Sequence, residues 1–298
     1  MFKRILLPLD GTEVSESALD CARELSQRNH ASLVLARVVE HMGQLAPGLP
    51  PELLPELQRK AEIRALNYLE DRAARLAPLE VLVCTPVGSP RDEIARLAES
   101  HHCELVVMTS HGRDGAQHML LGSVAEGVVR QSPCPVLLVR PQSSATSQFN
   151  HIVVPVDGSS ASLTILESLP PLLAAGGKVT LLQSSGVSLY PNYEHKADLV
   201  EDYLQRAEAR LRLVSHPGLP LEVVVLEGQP VDDILSWTSQ NGCDLIAMTT
   251  HGRTGFRRFW LGSICEKVAR QAPCHVLVYR PPQRADLDQP EACAAELD

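Results

Sequence analysis

The amino-acid sequence predicts two tandem α/β domains, each built on a five-stranded, parallel, doubly wound sheet. Three observations predict it. Residues 101–141 and 241–281 align without a gap and are identical at about half of their positions, so one unit is used twice. In each copy, short runs rich in Val, Ile and Leu alternate with helical patterns. Those runs are continuously apolar rather than alternating, as expected of parallel strands buried on both faces. At 298 residues the chain is long enough for two such units, each with its own core.

The first strand is Ile5-Leu6-Leu7-Pro8-Leu9-Asp10, answered by Ile152-Val153-Val154-Pro155-Val156-Asp157. A helical pattern follows over 14–28 and 160–174, then a second strand over 32–39 and 178–183. After a variable loop comes a long helix, 56–76 and 198–214, and a third strand, 80–85 and 221–226. Val87-Gly88-Ser89-Pro90 then answers Glu227-Gly228-Gln229-Pro230. Each proline is placed in the first turn of a helix, where its missing N–H costs nothing. The fourth strand falls at 105–109 and 245–249; after another helix, the fifth falls at 136–140 and 276–280. Five strands of this kind fit a flavodoxin-like or Rossmann-like sheet, with ligands expected beyond the strand C-termini at the topological switch point. The pattern leaves the strand order open. A Ser/Thr/Gln stretch at 142–148 reads as a linker, dividing the chain into 1–142 and 149–282. Residues 283–298 read as a disordered acidic tail, with Asp286, Asp288, Glu291, Glu296 and Asp298 against Arg284.

Composition narrows the function. The net charge of −9 and the absence of a basic stripe argue against nucleic acid, whose binding rests on Lys and Arg at phosphates. No apolar stretch reaches the roughly 18 residues of a membrane span. The N-terminal Met-Phe-Lys-Arg-Ile-Leu-Leu-Pro runs directly into a strand pattern, without the apolar core of a signal peptide, and cytoplasmic residence is expected. Eight cysteines show neither Cys-x-x-Cys nor zinc-ligand spacing, so no metal site of the protein's own is expected. Cys103 with Cys243 and Cys134 with Cys274 are equivalents beside apolar strands and read as inert core thiols.

Two segments should meet at each switch point. One is the end of strand one, Asp10-Gly11-Thr12 or Asp157-Gly158-Ser159. Its carboxylate reads equally as a helix cap or as a group at the mouth of a ligand crevice. The other is Thr109-Ser110-His111-Gly112, nine residues, then Gly122-Ser123; its copy is Thr249-Thr250-His251-Gly252, nine residues, then Gly262-Ser263. Gly-Ser opening a helix presents backbone N–H groups and a hydroxyl to a phosphate. Neither half has a Walker A lysine motif or Gly-x-Gly-x-x-Gly after strand one.

An Asp closing strand one, the His-Gly turn after strand four, nine residues, Gly-Ser, and a final Pro-Cys-x-Val-Leu strand together resemble the universal stress protein family, twice over nearly the whole chain. In that family's ATP-binding branch the motif begins with a glycine, where this chain has Thr109 and Thr249. The resemblance implies an adenine nucleotide, ATP with magnesium as an option, or AMP or ADP. In the first half it sets Pro8, Leu9 and Asp10 near the sugar and Val38 and Met108 near the adenine, with Thr109 at the substituted position. Gly112, Gly122, Ser123, Val124 and Ala125 would surround the phosphates. The counterparts are Pro155, Val156, Asp157, Met248, Thr249, Gly252, Gly262, Ser263, Ile264 and Cys265. The second strand of the second half ends in Gln183-Ser184-Ser185-Gly186 where the first has Arg37-Val38-Val39, so the two pockets are not expected to match.

Three readings stay open. One is a stress-response regulator that binds ATP. The second is a nucleotide-free scaffold binding unidentified protein partners, favoured by the two threonines. The third is an enzyme, at most a slow ATPase, ranked last because no nucleophile–base pair and no acidic metal cluster is readable. His111 and His251 read as turn residues rather than acid–base groups, and Arg113, Arg253, Arg257 and Arg258 as solvated loop arginines. The fifth strands would lie at sheet edges, so an internal pseudo-dimer of the two halves is expected. A homodimer of chains is left open.

Overall fold

The structure, a computed structural model, describes residues 1–45, 48–110, 121–141, 148–184, 196–213, 220–250 and 262–281. The linker at 142–147, the acidic tail, and both loops holding His111, Gly112, Arg113, His251, Gly252, Arg253, Arg257 and Arg258 lie outside the described residues. The first half runs β1 (Arg4–Pro8), α1 (Glu13–Glu16), α2 (Leu19–Asn29), β2 (Ser32–Ala36), α3 (Met42–Leu45) and α4 (Leu54–Ala74). It continues through β3 (Val81–Cys84), α5 (Pro90–Ser100), β4 (Leu105–Thr109), α6 (Ser123–Gln131) and β5 (Val136–Val139). The second half runs β6 (Phe149–Val156), a 3-10 segment (Ala161–Ser168), β7 (Leu173–Ser184), α7 (Lys196–Leu213) and β8 (Leu221–Leu226). It closes with α8 (Pro230–Gln240), β9 (Leu245–Thr249), α9 (Ser263–Gln271) and β10 (His275–Tyr279).

These strands form one sheet in the order β3-β2-β1-β4-β5-β10-β9-β6-β7-β8. Each half therefore has the order 3-2-1-4-5, with its switch point between the first and fourth strands. Successive strand residues feed opposite faces. Ile5 and Leu7 join the core under α2 and α4, whereas Leu6 joins the core under α5 and α6. Both cores continue into the second half: the first through Leu163, Leu166 and Ala207, the second through Ile234, Val268 and Ala269. Pro90 and Pro230 open α5 and α8 as the sequence indicates.

Two helical expectations change. The 14–28 pattern breaks into α1 and α2 around Ser17, whose hydroxyl donates to the Val14 carbonyl at 2.7 Å and competes with the helical ladder. The 160–174 pattern is not an α-helix. Ser162 and Thr164 hydroxyls each donate at 2.7 Å to carbonyls three residues back, within a 3-10 segment. Pro170 and Pro171 then remove two successive N–H donors, and the chain enters β7 at Leu173. Pairing with β6 steps from Phe149↔Leu173 to His151↔Lys178, so the Ala-Ala-Gly-Gly stretch between them bulges out.

The halves meet through their fifth strands, as the exposed-edge argument predicts. β5 and β10 pair antiparallel, Val276↔Leu138, Leu277↔Leu137 and Val278↔Val136, and the half-sheets become one. Side chains lock this seam. The Arg140 backbone N–H donates to His275 Nδ1 at 3.0 Å, and the Phe149 and His275 rings meet edge to face at 5.7 Å. Arg140 donates to the Ala269 carbonyl of α9, and Arg280 returns the contact to the Arg130 carbonyl of α6 at 2.6 Å. The pairing is that of a pseudo-two-fold dimer within one chain.

Candidate functional site

At the C-terminal end of β1 the chain turns through Asp10. Its Oδ1 accepts from the Thr12 backbone N–H (2.9 Å) and from the Thr12 hydroxyl (2.6 Å). The Thr12 oxygen accepts in turn from the Ser15 N–H at 3.1 Å. Asp157, Ser159 and Ser162 repeat this, at 3.0, 2.6 and 3.2 Å. The helix cap is thus Thr12, while the aspartate orders the turn that leads to it. Gly11 between them holds φ +87° and Gly158 φ +91°, a region an L side chain rarely adopts.

Beside this turn lies a cluster the sequence reading missed. A Cβ on Gly11 would fall 2.8 Å from the Arg37 guanidinium. Arg37 and Arg72 each stack on the Tyr68 ring, at 4.6 and 4.7 Å from its centroid. The Tyr68 hydroxyl (2.8 Å) and Arg72 (2.7 Å) both donate to Glu16, and Arg72 above all holds that carboxyl below its usual range. Period two places Arg37 on the face opposite Val38, a signal available in the sequence. Nothing local marks Tyr68.

Across the switch point, β4 ends at Thr109 and β9 at Thr249, both buried. Each is a strand residue in register with a partner, Val139 and Tyr279. The position therefore needs no positive φ, and threonine suits it. The glycines thirteen residues further on, Gly122 and Gly262, sit where the chain returns to the strand end. Gly122 N–H donates to the Ser110 carbonyl at 2.8 Å, and Gly262 N–H to the Thr250 carbonyl at 3.0 Å, so the two ends of each loop are pinned together. A Cβ on Gly262 would lie 2.8 Å from the Thr250 oxygen.

Gly122 and Gly262 are also the helix N-caps of α6 and α9. The first intrahelical bond comes from Glu126 N–H at 2.9 Å, so the N–H groups of Ser123, Val124 and Ala125 have no acceptor within the helix. Ser123 and Ser263 are exposed on that first turn. The apolar wall is equally concrete: Met108 and Ala125 are buried in one cluster, and Val38 and Val124 pack against it. Leu9 faces the other core, and its N–H takes the Ala36 carbonyl at 2.8 Å. In the second half Met248 and Cys265 are buried in the same cluster, Val156 in the opposite one, and Ile264 is exposed. Pro8 is the last residue of β1 and Pro155 the last but one of β6, both half-buried.

The four cysteines that repeat between the halves lie in the cores. Cys103, Cys134, Cys243 and Cys274 are buried free thiols, and burial pushes Cys103 and Cys274 up to about 12 and Cys134 and Cys243 up to about 11. A thiol at that pKa stays protonated at neutral pH and is a poor nucleophile. Among the described residues no group of three or more His, Cys, Asp or Glu could hold a metal, and no helix is long and apolar enough to cross a membrane.

Fold and topology define a tandem α/β protein with one switch point in each half-sheet. The chain belongs to the universal stress protein family, whose family model matches residues 1–140 and again 148–280. Universal stress protein MJ0531 of Methanocaldococcus jannaschii is 33% identical over 148 residues, covering 47% of this chain and 83% of its own. Universal stress protein YxiE of Bacillus subtilis is 31% identical, covering 47% of this chain and all of its own length (100%). Each of these matches spans about half of this chain (47%). The crystal structure of a universal stress protein from Archaeoglobus fulgidus is similar in fold over both halves, with TM-score 0.70, 22% identity, and 93% and 98% of the two chains covered.

Proposed function

We propose that this protein is a cytoplasmic stress-response regulator that holds an adenine nucleotide, ATP foremost, in a switch-point crevice of its domains, 1–142 and 149–282. One observation carries the reading. The turn carboxylate and the first-turn N–H groups of the Gly-Ser helix, which have no acceptor within the helix, lie at the same end of adjacent strands in each half, with an apolar wall beside them in the first. Each suits one part of a nucleotide. Asp10 accepts from ribose hydroxyls, with Pro8 and Leu9 beside it. Gly122, Ser123, Val124 and Ala125 take the phosphates on N–H groups and helix dipole, and any magnesium would ride on those phosphates. Val38 and Met108 receive the base. The corresponding set in the second half is Pro155, Val156, Asp157, Met248, Gly262, Ser263, Ile264 and Cys265. Gly112 and Gly252 complete the two sets by motif position. Occupancy would act through partner choice rather than turnover.

Folded protein purified without added nucleotide is expected to release ATP on heat denaturation, or to bind it in calorimetry. Silence in both experiments overturns the reading. The second reading, a nucleotide-free scaffold, is favoured by the buried side chains of Thr109 and Thr249 at the first glycine position. It requires that Asp10→Ala combined with Asp157→Ala leave partner capture intact.

A further inference from the structure

The two crevices share their turn and their Gly-Ser helix but differ where the base would rest. Strand register sets the equivalence: Pro8 pairs with Ala36 and Pro155 with Leu182, so Ser184 occupies the position of Val38. Val38 packs against the apolar cluster that contains Met108 and Ala125. The Ser184 hydroxyl instead bonds to the Gly228 carbonyl at 3.0 Å and to Asp233 Oδ2 at 2.5 Å. Asp233 lies against the loop after β8, its Oδ1 2.3 Å from a Cβ built on Gly228, as Glu93 Oε1 lies 3.0 Å from one built on Gly88. The acidic residue is thus common to both halves, and the hydroxyl that bonds to it belongs to the second.

We infer that the N-terminal crevice is the tighter adenine-nucleotide site, and that Ser184, held to Asp233, weakens adenine binding in the C-terminal one. The inference rests on the nucleotide reading above. An adenine face gains by covering apolar surface, and Val38 offers two methyl groups where Ser184 offers a solvating hydroxyl. Loss of this apolar contact is worth on the order of tenfold in affinity.

Calorimetric titration of the full chain with ATP tests this. The expected result is two binding events per chain, about tenfold apart in affinity, the tighter one in the N-terminal crevice. Val38→Ser should weaken the tighter event by about tenfold, by the same apolar argument. Ser184→Val should strengthen the weaker event by a similar factor; circular dichroism checks that each variant is folded. Two equal sites in the unmodified protein would overturn the inference while leaving the nucleotide reading intact. So would a Val38→Ser protein of unchanged affinity, or a folded Ser184→Val protein whose weaker event is unmoved. No binding at all would overturn both.

Discussion

At the scale of single residues, the site owes its shape to close approaches that only particular side chains allow. Gly262 is one. Its backbone N–H and the Thr250 carbonyl are bonded at 3.0 Å, and a methyl group there meets that same oxygen at 2.8 Å. Gly262→Ala should cost roughly 1–3 kcal/mol of stability, the usual range for overpacking against groups that cannot move aside, read as a lower urea midpoint. His151 is a second such residue. It is 7% exposed, bonded to the Thr180 hydroxyl at 2.9 Å, beside Cys243 and the Trp237 ring. Burial, with Lys178 nearby, lowers its pKa from the ordinary 6.5, against the opposing pull of the Asn241 carbonyl, Glu222 and Asp244. The unfolded chain therefore takes up the proton first as pH falls below 6.5. Stability from this group is complete above that value and declines towards the lower folded pKa, by at most about 1.4 kcal/mol per pH unit. Urea unfolding at a series of pH values should show the decline, and His151→Gln should remove that part of the slope. The motif glycines and aspartates were legible in the sequence because they repeat. Arg37 on Tyr68 was not, since that contact joins the residue just after β2 to one on α4, and only folding brings them together.

At the scale of elements, local signals succeeded where backbone chemistry is decisive and failed where tertiary packing overrode them. Pro90 and Pro230 mark helix starts because a missing N–H is harmless only there. The apolar spacing at 160–174 resembles a helix, yet two prolines and two serine/threonine back-bonds turn it into a 3-10 segment and the start of β7. The seam of β5 and β10 is where one side chain affects both halves most directly. Leu277 is fully buried opposite Leu137. Leu277→Ala should therefore cost about 2–5 kcal/mol, as buried leucine truncations do, measured by thermal or urea unfolding.

At the scale of the whole molecule, both cores run through the seam, and the two halves should unfold together. Both tryptophans, Trp237 and Trp260, fall in the second half and report on it. Leu25, on α2 of the first half, is fully buried. Leu25→Ala is expected to shift the tryptophan fluorescence transition and the circular dichroism transition to the same lower urea concentration. Two separate transitions, with fluorescence unmoved, would show that the halves are energetically independent. The duplication, the strands and the Gly-Ser loops could be read from sequence alone, because repeats, apolar runs and turn glycines are local features of the chain. The 3-2-1-4-5 order, the antiparallel joining of the fifth strands, and the Ser184–Asp233 contact that sets one crevice apart from the other were decided only in the tertiary structure. They depend on which distant segments lie side by side, and that is settled by burial of whole faces rather than by any local preference.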